Sequence, residues 1–291
     1  MGRDYSGLLS RDQEVTLGVV GGGTMGSSIA SQSLLSGLRA TVVEANQEAA
    51  QRARDRVIAT LTRARSRGFT DMSGDDIDQQ LTVVVGYEHL VGAAVVIESV
   101  PEIVELKRDV LHRIRLAVGD EMPIGSNTSS IAIGSLQEGV AGAENIGGLH
   151  FFNPVPASSL IEIVVGPSTN EDTVATFRAL AERLDKEAIV VRDAPGFATS
   201  RLGVALGLEA IRMLEQGVAS AADIDTAMVL GYKHPVGPLR LTDLVGLDVR
   251  LAIARYLEQK LGDRFAPPEL LISMVETGRL GKKSGQGFFD W

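Results

Sequence analysis

The residues with the clearest chemical potential are His150 and Glu162, twelve positions apart in the stretch GLHFFNPVPASSLIE. His150 stands near the end of a short apolar run, and the turn former Asn153-Pro154 follows it. A second apolar run, 160–165, then brings Glu162. If the first run is a strand and the second returns beside it, the imidazole and the carboxylate meet. A carboxylate on one ring nitrogen fixes the tautomer and raises the basicity of the other, as a general base requires. The same pair would also serve as a purely structural contact, so the elements around it must decide.

Those elements begin with a β-branched run at 15–20 that breaks into Gly21-Gly22-Gly23-Thr24-Met25-Gly26. Apolar residues at helical spacing follow over 27–37, then a second short strand, 40–43, ending at Glu44. Strand, GxGxxG turn, helix, strand and a terminal acid form the dinucleotide-binding pattern. Gly21 makes the turn, Gly23 admits the pyrophosphate, and Gly26 lets helix and strand pack closely. Thr24 and Met25 lie within this turn, and the helix that follows offers unpaired N–H groups at its N-terminus to phosphate oxygens. Glu44 is placed for the adenosine ribose hydroxyls and against a 2′-phosphate, which favours NAD over NADP.

A long polar helix is expected over 46–68, with Arg63, Arg65 and Arg67 at its end. They read either as a solvated face or as an anchor for a phosphorylated substrate tail. Strands at 81–85, 94–100 and 123–126 alternate with a helix at 103–118, which implies right-handed crossovers and a mostly parallel sheet. Ligands in such sheets lie beyond the carboxyl ends of the strands. Glu102, Asn127, Ser129 and His150 all fall near predicted strand ends, and this convergence favours a catalytic His150.

A helix at 171–184 and a strand at 188–191 close the first half. The break at Asp193-Ala194-Pro195-Gly196 sets the expected domain boundary. The expected organisation is a polar arm over 1–14, a Rossmann-type NAD-binding domain over 15–193, and a smaller all-α domain for substrate and dimerisation over 194–291. The helices expected in the last part span 202–216, 221–229, 239–261 and 268–277. A homodimer through this part is the expected assembly.

Composition narrows the functions. A net charge of -9 argues against nonspecific nucleic-acid binding. With no cysteine there is no disulfide, thiolate metal site or cysteine nucleophile. The four histidines lack metal-ligand spacing, so no metal is expected. No apolar run has signal-peptide or membrane-spanning character, so no membrane partner is expected and the cytoplasm is the default location.

Seven motifs in order carry a resemblance: GGGTMG at 21–26, IESVPEIVELK at 97–107, SNTSS at 126–130, GLHFFNPVP at 148–156, DAPGF at 193–197, HPVGPLRLTDLVGLD at 234–248 and GKKSGQGF at 281–288. From about Val15 to Trp291 the chain resembles the L-3-hydroxyacyl-CoA dehydrogenases, particularly the short bacterial 3-hydroxybutyryl-CoA type. The resemblance implies an acyl-CoA substrate, with His150 as the base, Glu162 as its partner and Ser129 at the reacting carbon. It places Asn153, Glu102, Lys107 and Lys283 around the nicotinamide half of NAD, and Thr60 and Arg67 near coenzyme A. The family's PGF-x-x-N-R motif departs here, because Ser200 stands where the asparagine is usual. Serine reaches less far and lacks the planar amide. A dehydrogenase of a 3-hydroxy acid without coenzyme A, and a non-catalytic binding protein on the same scaffold, remain alternatives from the residues alone.

Overall fold

In the computed structural model, residues 14–291 are described, so the expected arm lies, apart from Glu14, outside the described residues. The first half alternates strands and helices: β1 (Thr16–Val20), α1 (Thr24–Leu35), β2 (Arg39–Glu44), α2 (Gln47–Ser66), α3 (Gly74–Gln80), β3 (Leu81–Val85), β4 (Val95–Glu98), α4 (Val104–Val118), β5 (Ile124–Ser126), α5 (Ile133–Gln137), β6 (Ile146–Phe151), β7 (Leu160–Val165), α6 (Glu171–Arg183) and β8 (Glu187–Arg192). The second half is helical: α7 (Thr199–Glu215), α8 (Ala221–Thr226), α9 (Pro238–Val245), α10 (Leu247–Leu261) and α11 (Glu269–Glu276). The chain divides into two compact units between Asp193 and Ala194.

The eight strands form one sheet in the order β3-β2-β1-β4-β5-β6-β7-β8. Every pairing is parallel except β6 with β7. The direction of winding changes between β1 and β4, where a doubly wound sheet opens a crevice for a dinucleotide. β1, β2 and β4 are almost wholly buried, as strands covered on both faces must be. Leu17, Val19, Ile29, Val42, Ile97, Leu149, Ile163 and Phe177 belong to the core of this unit. Val204, Leu208, Ile211, Leu239, Leu247, Leu257 and Leu271 form a separate core in the helical unit.

Two expectations need correction. The single helix expected over 239–261 is two helices, α9 and α10, separated by Gly246 at φ 105°. Helical periodicity runs through the break, but the left-handed backbone there ends one helix and begins the next. The helix expected over 221–229 ends as α8 at Thr226 and continues as a wider π turn over Ala227–Gly231. α3 was not expected at all. It is held by a capping box in which Ser73 Oγ accepts from Asp76 N and the Asp76 carboxylate accepts from Ser73 N. Among the described residues no helix is long and apolar enough to cross a membrane.

Candidate active site

The turn after β1 is built for close approach. Gly21 adopts φ 92°, and its N–H donates to Val43 O at 2.9 Å. A Cβ on Gly26 would fall 1.8 Å from Gly21 O, so only glycine lets α1 pack on the turn. A Cβ on Gly23 would meet nothing within 4 Å. The space beside Gly23 therefore serves something other than packing within this chain. α1 starts at Thr24 with no side-chain cap and no acidic residue in its first turn. Its N-terminal N–H groups and positive dipole end suit an anion. Thr24 is exposed and Met25 half-buried at this mouth. The Glu44 carboxylate, at the end of β2, accepts from Gly22 N at 2.7 Å. These features fit a bound dinucleotide.

The ends of β4 and β5 are organised by a charge network. Glu98 is fully buried and Lys107 nearly so, with Lys107 Nζ donating to Glu98 Oε1 at 2.9 Å and to Val100 O at 3.1 Å. Ser126 Oγ donates to Glu98 Oε2 at 2.6 Å. Lys107 also lies 3.4 Å from Glu102 Oε2. Glu102 Oε1 accepts from Thr128 Oγ1 at 2.6 Å, Ser129 N at 3.0 Å and Ser130 N at 3.1 Å. Burial pushes the Glu102 carboxyl up, but the Lys107 ammonium and the Thr128, Ser129 and Ser130 donors outweigh it, so its pKa lies below the ordinary 4.5. The loop carrying Ser129 is thus tied to one carboxylate, which is tied to a buried ammonium. Lys107 is fully buried, with Glu98 and Glu102 both within reach of its ammonium.

Sequence reasoning gave Glu98 no role. The signal was a charged residue ending the apolar run Val95-Val96-Ile97, with a lysine nine positions later. Asn127 joins three strand ends: its N–H donates to Glu98 O, its Nδ2 donates to Ser99 Oγ at 3.3 Å, and its Oδ1 accepts from Phe151 N at 2.9 Å.

His150 and Glu162 are directly opposed in the antiparallel β6–β7 pair. Their side chains therefore leave the same face of the sheet. His150 Nδ1 lies 2.9 Å from Glu162 Oε2, with the imidazole 7% exposed and the carboxylate fully buried. The His150 ring also packs on Phe152, with centroids 4.4 Å apart. Asn153, exposed, follows at a cis bond to Pro154.

The remaining sequence-predicted residues stand elsewhere. On α2, Thr60 Oγ1 donates to Arg56 O at 2.9 Å, while Arg63 and Arg67 are exposed. Ser200 is the second residue of α7 in the helical unit. In that same unit Lys283 Nζ donates to Asp248 Oδ2 at 2.6 Å, beside the first turn of α10.

A doubly wound sheet with this glycine turn defines a dinucleotide-binding fold, here followed by a helical unit. The family model for the NAD-binding domain of 3-hydroxyacyl-CoA dehydrogenase matches residues 16–194, and that for the C-terminal domain matches 196–291, so the chain belongs to the 3-hydroxyacyl-CoA dehydrogenase family. It is 39% identical over 279 residues to a 3-hydroxybutyryl-CoA dehydrogenase of Mycobacterium tuberculosis, covering 94% of this chain and 98% of that protein. The crystal structure of M. tuberculosis FadB2 is similar at a TM-score of 0.88, with 38% identity and coverage of 94% and 98% of the two chains. The structure of (S)-3-hydroxybutyryl-CoA dehydrogenase PaaH1 from Ralstonia eutropha also gives a TM-score of 0.88, at 35% identity and 96% and 99% coverage.

Proposed function

We propose that this NAD-dependent dehydrogenase interconverts (S)-3-hydroxyacyl-CoA and 3-oxoacyl-CoA, including the short pair 3-hydroxybutyryl-CoA and acetoacetyl-CoA. The observation that carries this reading is the contact between His150 Nδ1 and Glu162 Oε2 at 2.9 Å, with the carboxylate fully buried. NAD, when bound, takes or returns the hydride at carbon 3 of the acyl chain.

The protein's own residues handle the proton. With Nδ1 engaged by Glu162, proton exchange with the substrate oxygen falls to Nε2. In the oxidising direction Nε2 takes the hydroxyl proton, and the Glu162 carboxylate stabilises the imidazolium that results. In reduction the imidazolium returns that proton to the new hydroxyl. Ser129, on the loop tied to Glu102, and Ser200, on α7, orient and polarise the oxygen. Asn153 helps fix the geometry on the cofactor side. The dinucleotide would be held by Gly21, Gly23, Gly26 and the N-terminus of α1, with Glu44 at its ribose. Thr60, Arg63 and Arg67 meet the phosphates of coenzyme A.

Substituting His150→Asn or Glu162→Gln tests the assignment. Turnover of acetoacetyl-CoA should fall by about 10²–10⁴-fold for the histidine and less for the glutamate, since the first removes the base and the second its orientation. NADH affinity, read by fluorescence titration, should stay within about threefold of wild type, which corresponds to less than ~0.7 kcal/mol. An equal loss of NADH affinity and turnover would remove the catalytic assignment.

A further inference from the structure

Arg250, on α10, is a buried cation outside the charge network described above. It is 8% exposed, and its Nε is sealed from solvent with no hydrogen-bond partner. No ion pair to Arg250 occurs among the described residues; the nearby acid Asp248 is held by Lys283. The guanidinium lies against bare backbone: Nη1 is 3.1 Å and Nη2 3.7 Å from where a Cβ on Gly203 would stand. Burial pushes its pKa down to about 10, so it stays charged at neutral pH. A buried guanidinium without a counter-charge is costly to keep, and its planar fork takes a carboxylate or a phosphate through two parallel hydrogen bonds.

Gly203 is three residues after Ser200 on α7, so both lie on one face of the helix about one turn apart. We infer that Arg250 recognises a carboxylate at the far end of the acyl chain, so that the preferred substrates are 3-hydroxyacyl thioesters of dicarboxylic acids. The inference rests on the proposed function, because it takes Ser200 to meet the oxygen on carbon 3. One helical turn, about 5 Å, then corresponds to a carboxyl group roughly three carbons beyond that point. Gly203 is the complementary choice, since a side chain there would crowd the guanidinium. The phosphates of coenzyme A lie at the opposite end of the thioester and have Arg63 and Arg67 as their proposed partners.

The test compares 3-oxoadipyl-CoA, which ends in a carboxylate, with 3-oxohexanoyl-CoA, which has the same chain length and ends in methyl. Acetoacetyl-CoA is the reference, with NADH as reductant. Wild type should favour the acid in kcat/KM. R250Q should lower the acid-to-methyl ratio by about 30-fold or more, mainly through KM, as expected for removing one partner of a buried charged contact. R250K, which keeps the charge but not the fork, should fall between them. Turnover of acetoacetyl-CoA and 3-oxohexanoyl-CoA with no preference for the acid would overturn the inference and leave the proposed reaction standing. An unchanged ratio in R250Q would overturn it too. Silence of wild type on all three thioesters would overturn both readings.

Discussion

Glu102 shows how one side chain can organise a whole loop. Its Oε1 gathers the Thr128 hydroxyl and the Ser129 and Ser130 N–H groups, while Lys107 stands behind its other oxygen. These donors favour the ionised carboxylate, and they set the sign of a pH effect. The folded pKa lies below the ordinary 4.5, so the folded state binds fewer protons than the unfolded chain across the interval between the two values. The contribution of Glu102 to stability is fully present above the unfolded value and is lost as pH falls through the folded one. Denaturant unfolding of wild type and Glu102→Gln should therefore differ most above pH ~4.5 and converge as the pH is lowered. A difference that stays constant or grows on acidification would contradict the network.

The same residues show what a sequence discloses at this scale. His150 and Glu162 were legible as a pair because an antiparallel return fixes which residues face each other, and that needs only two short runs and a turn. The Glu98–Lys107 pair was not, because a buried charge and a cleft-lining charge look alike at a strand end. Lys107 was expected at the nicotinamide, and its complete burial beside Glu98 could not be read from its place in the sequence. Arg250 was hidden for the same reason: within the periodicity of a helix an arginine reads as surface.

Among the elements, the turn between β1 and α1 separates structural from binding glycines. Gly26→Ala forces a methyl to within 1.8 Å of Gly21 O and should cost about 1–3 kcal/mol or more in folding stability. Gly23→Ala places a methyl in open space, so thermal unfolding should stay near wild type. Its NADH dissociation constant should nevertheless rise roughly tenfold or more, because the methyl stands where the pyrophosphate approaches. Equal destabilisation by both, or unchanged NADH binding in Gly23→Ala, would contradict the assignment of the turn. The alternating strands and helices of the first unit could be read from periodicity and turn residues. The split of α9 from α10 could not, because Gly246 interrupts no apolar spacing and acts through its positive φ alone. α3 escaped because a helix of seven residues offers too little periodicity, although its Ser73–Asp76 capping box was in the sequence.

For the whole molecule, the proposed function requires that an overall charge of -9 accommodate two polyanions, the dinucleotide and coenzyme A. In the proposed reading local devices meet that need: a helix N-terminus without acidic residues at α1, and the exposed Arg63 on α2 and Arg67 just beyond it. Neither requires a basic surface overall, and the proposed place of Glu44 at the ribose would disfavour a 2′-phosphate. Together with the His150–Glu162 pair, these devices would serve the proposed reaction, the reversible reduction of a 3-oxoacyl thioester by NADH. Its most direct test follows NADH absorbance on addition of acetoacetyl-CoA, beside free acetoacetate and an NADPH control. Rapid oxidation of NADH with the thioester, and little with the free acid or with NADPH, is the predicted result. Turnover of free acetoacetate without the thioester, or none with either, would contradict it.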